Sequence, residues 1–221
     1  MMLDNTFKDV AALHKMLRKM STPWSNIIFI AVMFAAEAAL HLTDVSNAEV
    51  LLPMLAAAVA AWWIMLSLSR VGVHYKMIEV MSVTKRTIAD YMVYTGEQVI
   101  YIQLAASVAA AALFADDPYS MISAGVCFVL MLAVYYLFAG RIAVYSVRMA
   151  ESVMSSLAEF GPITAMCIIF VIINVSVNLL MPLIGIPMGR AAAIVLLIIA
   201  WLMLMACRKK VIKAVEKKML F

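Results

Sequence analysis

The chain has 221 residues, 67% of them apolar and only 14% charged, with a formal net charge of +4 and a mean hydropathy of +1.02. A soluble domain is nearer half apolar and a quarter charged, so the composition excludes a soluble enzyme, a disordered linker and a nucleic-acid-binding domain. Its solvent is expected to be mostly lipid.

The first twenty residues carry Asp4, Lys8, Asp9, Lys15, Arg18 and Lys19 and no cleavable small-residue site, so the first apolar run is expected to be retained rather than removed as a signal peptide. Within residues 1–23, Phe7, Val10, Leu13, Leu17 and Met20 recur at helical spacing among basic residues, which predicts an amphipathic helix lying along the membrane interface. Pro23 is placed to turn the chain into the first span.

About 20 apolar residues are needed to cross the hydrocarbon, and six runs approach that length: 24–42, 50–68, 98–114, 119–138, 163–181 and 191–207. Their continuous apolar character argues against a β-barrel. The predicted fold is therefore all-α, a polytopic membrane protein with six transmembrane helices over 24–207.

The links at 43–49, 115–118 and 182–190 are short, and of their basic residues only Arg190 stands among them. The opposite side, made of the N-terminal segment, the stretches 69–97 and 140–162 and a basic tail at 208–221, holds about sixteen Lys and Arg. Basic residues near span ends are retained inside, so both termini and both long loops are expected in the cytoplasm, and the membrane is expected to be a bacterial plasma membrane.

In the 69–97 stretch a helical continuation of span two, with Val73, Met77, Val80 and Met81 on one side, meets the break Ser82-Val83-Thr84-Lys85-Arg86, and a new helix is expected from about Thr87 into span three. Ser82 and Thr84 are the candidate caps. The 140–162 stretch has Val144, Val147, Met154 and Leu157 interleaved with Arg141, Arg148, Glu151 and Glu159, predicting a further amphipathic helix stopped by Gly161-Pro162. The tail from Arg208 is expected to lie as a helical extension at the surface.

The seven glycines are dispersed and form no phosphate-binding loop, and no H-E-x-x-H or G-x-S-x-G is present. Catalysis and ATP binding by this chain itself are therefore not expected. Cys127, Cys167 and Cys207 lie in apolar runs with no second Cys or His at ligand spacing, which supports neither a disulfide framework nor a metal site.

Inside the spans the one clear ionisable group is Glu37, with His41 one turn on. A carboxylate in lipid must be paired, neutral or in water, so this pair is a candidate for binding a proton or a substrate, against the alternative of an interhelical hydrogen bond. Asn174 and Asn178, one turn apart in span five, and Gln103 in span three are either pathway residues or amide glue between helices. Pro182 and Pro187 around Gly185 suggest a broken or re-entrant segment. The 20 methionines suit either a surface that repacks around apolar cargo or plain lipid-facing filler.

This organisation resembles the small permease subunits of type-two ABC exporters, in topology over nearly the whole chain. In sequence the resemblance is confined to Met81-Ser82-Val83-Thr84-Lys85-Arg86-Thr87-Ile88, which looks like the leucine-proline-valine-serine-arginine turn after the coupling helix of such permeases. Ser82 stands where proline is usual, and Asp90-Tyr91 where lysine-tyrosine often occurs. The resemblance implies a second permease copy or a related chain, and cytoplasmic P-loop ATPase subunits that bind ATP and magnesium and receive the elbow formed by Glu79, Ser82, Thr84, Lys85 and Arg86. It also implies export of an amphipathic peptide or hydrophobic small molecule. An ion- or proton-coupled transporter or channel using Glu37 and His41, and an accessory or immunity protein that moves nothing, are the alternatives.

Overall fold

The computed structural model describes residues 23–42, 54–64, 84–115, 119–151, 160–184 and 190–218. These form six helices: α1 Pro23–Leu42, α2 Met54–Ile64, α3 Lys85–Phe114, α4 Tyr119–Glu151, α5 Phe160–Ile184 and α6 Arg190–Lys218. The expected all-helical class holds. Four of them are long and apolar enough to cross a membrane, over Lys85–Phe114, Tyr119–Tyr145, Gly161–Leu180 and Arg190–Lys218. Among the described residues α1 and α2 contribute the shorter apolar stretches Ile27–Ala39 and Met54–Ile64. The N-terminal amphipathic helix and the stretch 65–83, with the continuation of span two, lie outside the described residues.

The helices outrun the apolar runs that announced them. Thr84, with extended backbone, caps α3 by accepting the Thr87 N–H at 3.2 Å, which fixes the helix start within two residues of the expected one. From there α3 runs 30 residues without interruption, about 45 Å at 1.5 Å per residue. Its first half is packed rather than looped: Thr87, Ile88, Ala89, Met92 and Val93 are all buried. Helix α4 likewise passes Gly140 and continues to Glu151 as one helix of 33 residues, in place of a span followed by a separate amphipathic helix. Gly161-Pro162 does not stop a helix. The pair sits in the first turn of α5, where proline's missing N–H costs nothing. At the other end α5 continues through Pro182 to Ile184, and residues 185–189, the rest of the suggested break, are not described. The basic tail is a direct continuation of α6, with Ile212 and Val215 buried against the core.

Helices α3 and α4 form the centre. Helix α1 packs on α3, α5 on α4, and α6 on both α3 and α4. The core is made of Phe29, Met33, Ile88, Ile100, Met131, Leu132, Tyr135, Ile163, Met166 and Phe170, all 2% exposed or less. Met33, Met131 and Met166 thus belong to the packed interior, whereas Met121 and Met203 face outward. Helix α2 presents Ala56, Ala57, Ala60 and Ala61 to the core, small residues that let helices approach closely where lipid supplies no hydrophobic drive. Phe29 and Trp63 stack with centroids 4.6 Å apart, joining α1 to α2. The outer faces are correspondingly apolar. Ile194, Val195, Ile198, Ile199 and Leu202 of α6 are each about half exposed, a surface suited to lipid rather than water.

Helices α3 and α4 approach closely at Gly96. A Cβ there would overlap the ring of Tyr135, which is fully buried and held in place by donating its hydroxyl to the Met92 carbonyl at 2.9 Å. Replacing Gly96 by Ala gains roughly 1 kcal/mol of helix propensity but forces the ring out of a packed site, a cost of about 1–3 kcal/mol or more. Gly96→Ala is therefore expected to lower the thermal midpoint of the purified protein in detergent. Gly161→Ala, where a Cβ meets nothing, should leave it unchanged or raise it. A Gly96→Ala protein as stable as the parent would mean that α3 and α4 do not meet there.

Candidate functional site

Two polar clusters interrupt the apolar interior, one toward each end of α3. The first lies near the helix start. Arg208 of α6 places Nε against both carboxylate oxygens of Glu97, at 2.8 and 3.0 Å, and Nη2 against Asp90 Oδ1 at 2.7 Å. Asp90 and Glu97 are seven residues apart, two turns on the same face of α3, so one guanidinium fork spans both. Tyr136 of α4 donates its hydroxyl to Glu97 Oε1 at 2.6 Å. Three helices are thereby tied at one carboxylate that is only 4% exposed. One turn further along, Trp201 Nε1 donates to the Tyr101 hydroxyl at 2.8 Å, a second tie between α6 and α3. Sequence reasoning puts Glu97 at the end of a cytoplasmic stretch and Arg208 at the start of the tail, and assigns neither a partner on another helix.

The second cluster lies where α1, α3 and α5 end and α4 begins. Glu37 of α1, Ser107 of α3, Ser120 and Cys127 of α4, and Asn174 and Asn178 of α5 line one small cavity, with room for little more than a water-sized group. Glu37 is 8% exposed and is hydrogen-bonded by the side chain of Ser107. Phe34 and Phe114, with centroids 6.3 Å apart, hold the ends of α1 and α3 together beside it. The Ser107, Ala124 and Cys127 wall is shared with a second, still smaller adjoining cavity, lined on its other side by Gln103 and Met131. The Gln103 Oε1 is buried with no hydrogen-bond partner.

Of the residues named from the sequence, the structure thus places Glu37, Asn174 and Asn178 on one cavity and Gln103 on the adjoining one. The side chain of His41, the fifth, lies outside the described residues. Asn174 Nδ2 donates across to Met131 Sδ of α4 at 3.3 Å, whereas Asn178 Nδ2 donates to the Asn174 carbonyl at 2.8 Å within α5 itself. Of the elbow residues, Thr84 is the α3 cap, Lys85 and Arg86 are exposed in its first turn, and Glu79 and Ser82 are not described. Among the described residues no three His, Cys, Asp or Glu side chains gather as metal ligands do. Of the three cysteines, Cys127 is buried, Cys167 half-buried and Cys207 exposed.

Compared with protein-family models, curated proteins and solved structures, the chain matches none.

Removing Arg208 would leave Glu97 buried beside Asp90 without a cation. Breaking a buried ion pair from one side costs about 3–5 kcal/mol, so Arg208→Ala should lose much of the protein's thermal stability in detergent. Arg208→Lys should recover only part of it, because an ammonium cannot fork to two carboxylates. Adding Glu97→Gln to Arg208→Ala should restore stability relative to Arg208→Ala alone. Unchanged unfolding of Arg208→Ala would show that the three-helix tie does not form.

Proposed function

We propose that this chain is the transmembrane permease subunit of an ATP-binding-cassette exporter, moving an amphipathic molecule out of the cell with ATP hydrolysed by a separate ATPase. The observation that carries the reading is the continuity of α3: one uninterrupted helix joins the capped, basic, exposed start at Thr84-Lys85-Arg86 to Gln103 and Ser107, which wall the two polar cavities. A push on the start of such a rod is delivered at the cavity wall, because a packed helix moves as a unit. The Glu97–Arg208 tie carries the same motion to α6. The chain has no phosphate-binding loop, so the push would come from ATPase subunits docked on the elbow, with both termini on that side of a bacterial plasma membrane. A second permease copy or a sister chain would complete the pathway.

The test is a mild-detergent pull-down from native membranes with mass spectrometry of what stays bound. A stoichiometric P-loop ATPase is expected with the parent chain, and its loss with Lys85→Glu/Arg86→Glu, a double variant that changes only exposed side chains and should keep its helices by circular dichroism. Recovery of the chain without any ATPase would overturn the reading.

Burial of Glu37 in a polar cavity favours one alternative, a secondary transporter that works alone. Its signature would be transport by the purified chain in liposomes, driven by a pH gradient and abolished in Glu37→Gln.

A further inference from the structure

Helices α3 and α6 run antiparallel in a readable register. Trp201 meets Tyr101, and two turns further along α6 Arg208 lies between Asp90 and Glu97. Each step along α6 thus answers one step back along α3, and at 1.5 Å per residue the same register brings Lys217 about level with Lys85. The end of α6 is held there by its own packing. Ile212 and Val215, which continue the Arg208 stripe by four and seven residues, are buried in the core, and the Lys218 side chain lies against α4 at Gly140. Lys209, Lys210, Lys213 and Lys217 fall on the opposite side of the helix and are exposed. The basic start of α3 therefore does not stand alone at its end of the bundle.

Charge and distance together say what such a face meets. Among the described side chains, the acidic groups at this end are Asp90 and Glu97, both held by Arg208, and Glu216, which is half-buried. Lys85, Arg86, Lys213 and Lys217 make no ion pair among the described residues. Cations gathered on one face repel each other, and an acidic surface laid against them relieves the repulsion. That surface is either an anionic lipid leaflet or a soluble protein. The last large apolar side chain exposed on α6 is Met203, at 67%. Lys209 and Lys210 stand about 10 Å beyond it along the axis, within reach of headgroups, but Lys213 stands about 15 Å and Lys217 about 21 Å beyond it. A headgroup layer is only about 5–8 Å deep on each side, so the distances favour the protein. We propose that Lys85 and Arg86 of α3 and Lys213 and Lys217 of α6 form one docking surface, and that it receives an acidic face of the ATPase subunit. This deepens the permease reading and rests on it, extending the contact from the elbow to the far end of the last helix.

The test is the mild-detergent pull-down from native membranes, quantified for the ATPase, with variants of the α6 end beside the parent. Lys213→Glu/Lys217→Glu is expected to retain about fivefold less ATPase than the parent, and Lys213→Arg/Lys217→Arg as much as the parent, because the contact reads charge rather than side-chain shape. Both variants should keep the parent's thermal midpoint to within a few degrees, since the side chains changed are exposed. Raising the salt to about 0.5 M should weaken retention by the parent more than by the Glu variant, because exposed charges are screened there. ATPase retained equally by the parent and Lys213→Glu/Lys217→Glu, yet lost in Lys85→Glu/Arg86→Glu, would confine the contact to the elbow and overturn this proposal alone. Equal retention together with a loss of co-purifying phosphatidylglycerol would assign the α6 lysines to lipid and overturn it as well. A parent chain recovered without any ATPase would overturn the permease reading and this surface with it. Should the Glu variant fail to fold, Lys213→Gln/Lys217→Gln carries the comparison, with about twofold weaker retention expected, and undiminished retention there would be equally decisive against the proposal.

Discussion

The arrangement depends on one carboxylate that has no water to turn to. Glu97 sits inside the packing of α3, α4 and α6, and its two oxygens are taken up by Arg208 and Tyr136. In an aqueous protein such a tie would be one contact among many. Between apolar helices it is among the few directional forces available, because lipid solvates the outer face of a leucine as well as a neighbouring helix does. The ion pair therefore acts on register as well as on cohesion. It fixes how far α6 slides along α3 and which way each helix faces, and Gly96 against Tyr135, one residue away on α3, sets how closely α4 can approach.

With that end fixed, the polar groups at the other end of α3 fall into place by helix geometry. Glu97 and Ser107 are ten residues apart, about 15 Å along one rigid axis. The cavity end is held differently from the clamped end: an aromatic pair, an amide hydrogen bond to a thioether, and a serine on Glu37. These are weaker ties than a forked ion pair, each on the order of 1 kcal/mol or less. The bundle is thus stitched more firmly at the Glu97 end than at the end that contains the two cavities.

Much of this was legible in the sequence, for reasons that are physical. The apolar run at 24–42 became α1 at Pro23–Leu42 because an uninterrupted apolar run in lipid has no way to satisfy its backbone other than helix. Thr84 was readable as a cap because a short hydroxyl before a helical pattern has a specific local job. The polar residues Glu37, Gln103, Asn174 and Asn178 were visible because each is anomalous in its run. Their meeting was not, since it is set by which helix packs on which, and the apolar faces that decide this look alike from residue to residue. The ends of the helices were misjudged for a related reason. Gly140, Pro182 and Arg208 are all punctuation in a water-soluble sequence, yet each lies within a continuous helix here.

Glu97 and Arg208 show where the logic of span prediction runs out. A charge at the end of an apolar run is normally counted toward a loop, and the count that orients the chain uses Arg208 as one of its cytoplasmic cations. The count weighs each residue alone. It has no means of seeing that a cation 111 residues away in sequence neutralises Glu97, or that the pair together is far less costly to bury than either half. Once the pair is recognised, the polar boundary of α3 moves from Glu97 back toward Lys85 and Arg86, the first charges on that helix that are exposed. The basic elbow then stands about 18 Å beyond the clamp along the same rod, at 1.5 Å per residue. Asp90, held by the same guanidinium, lies between the two, so the ion-pair network reaches to within two turns of that exposed basic start.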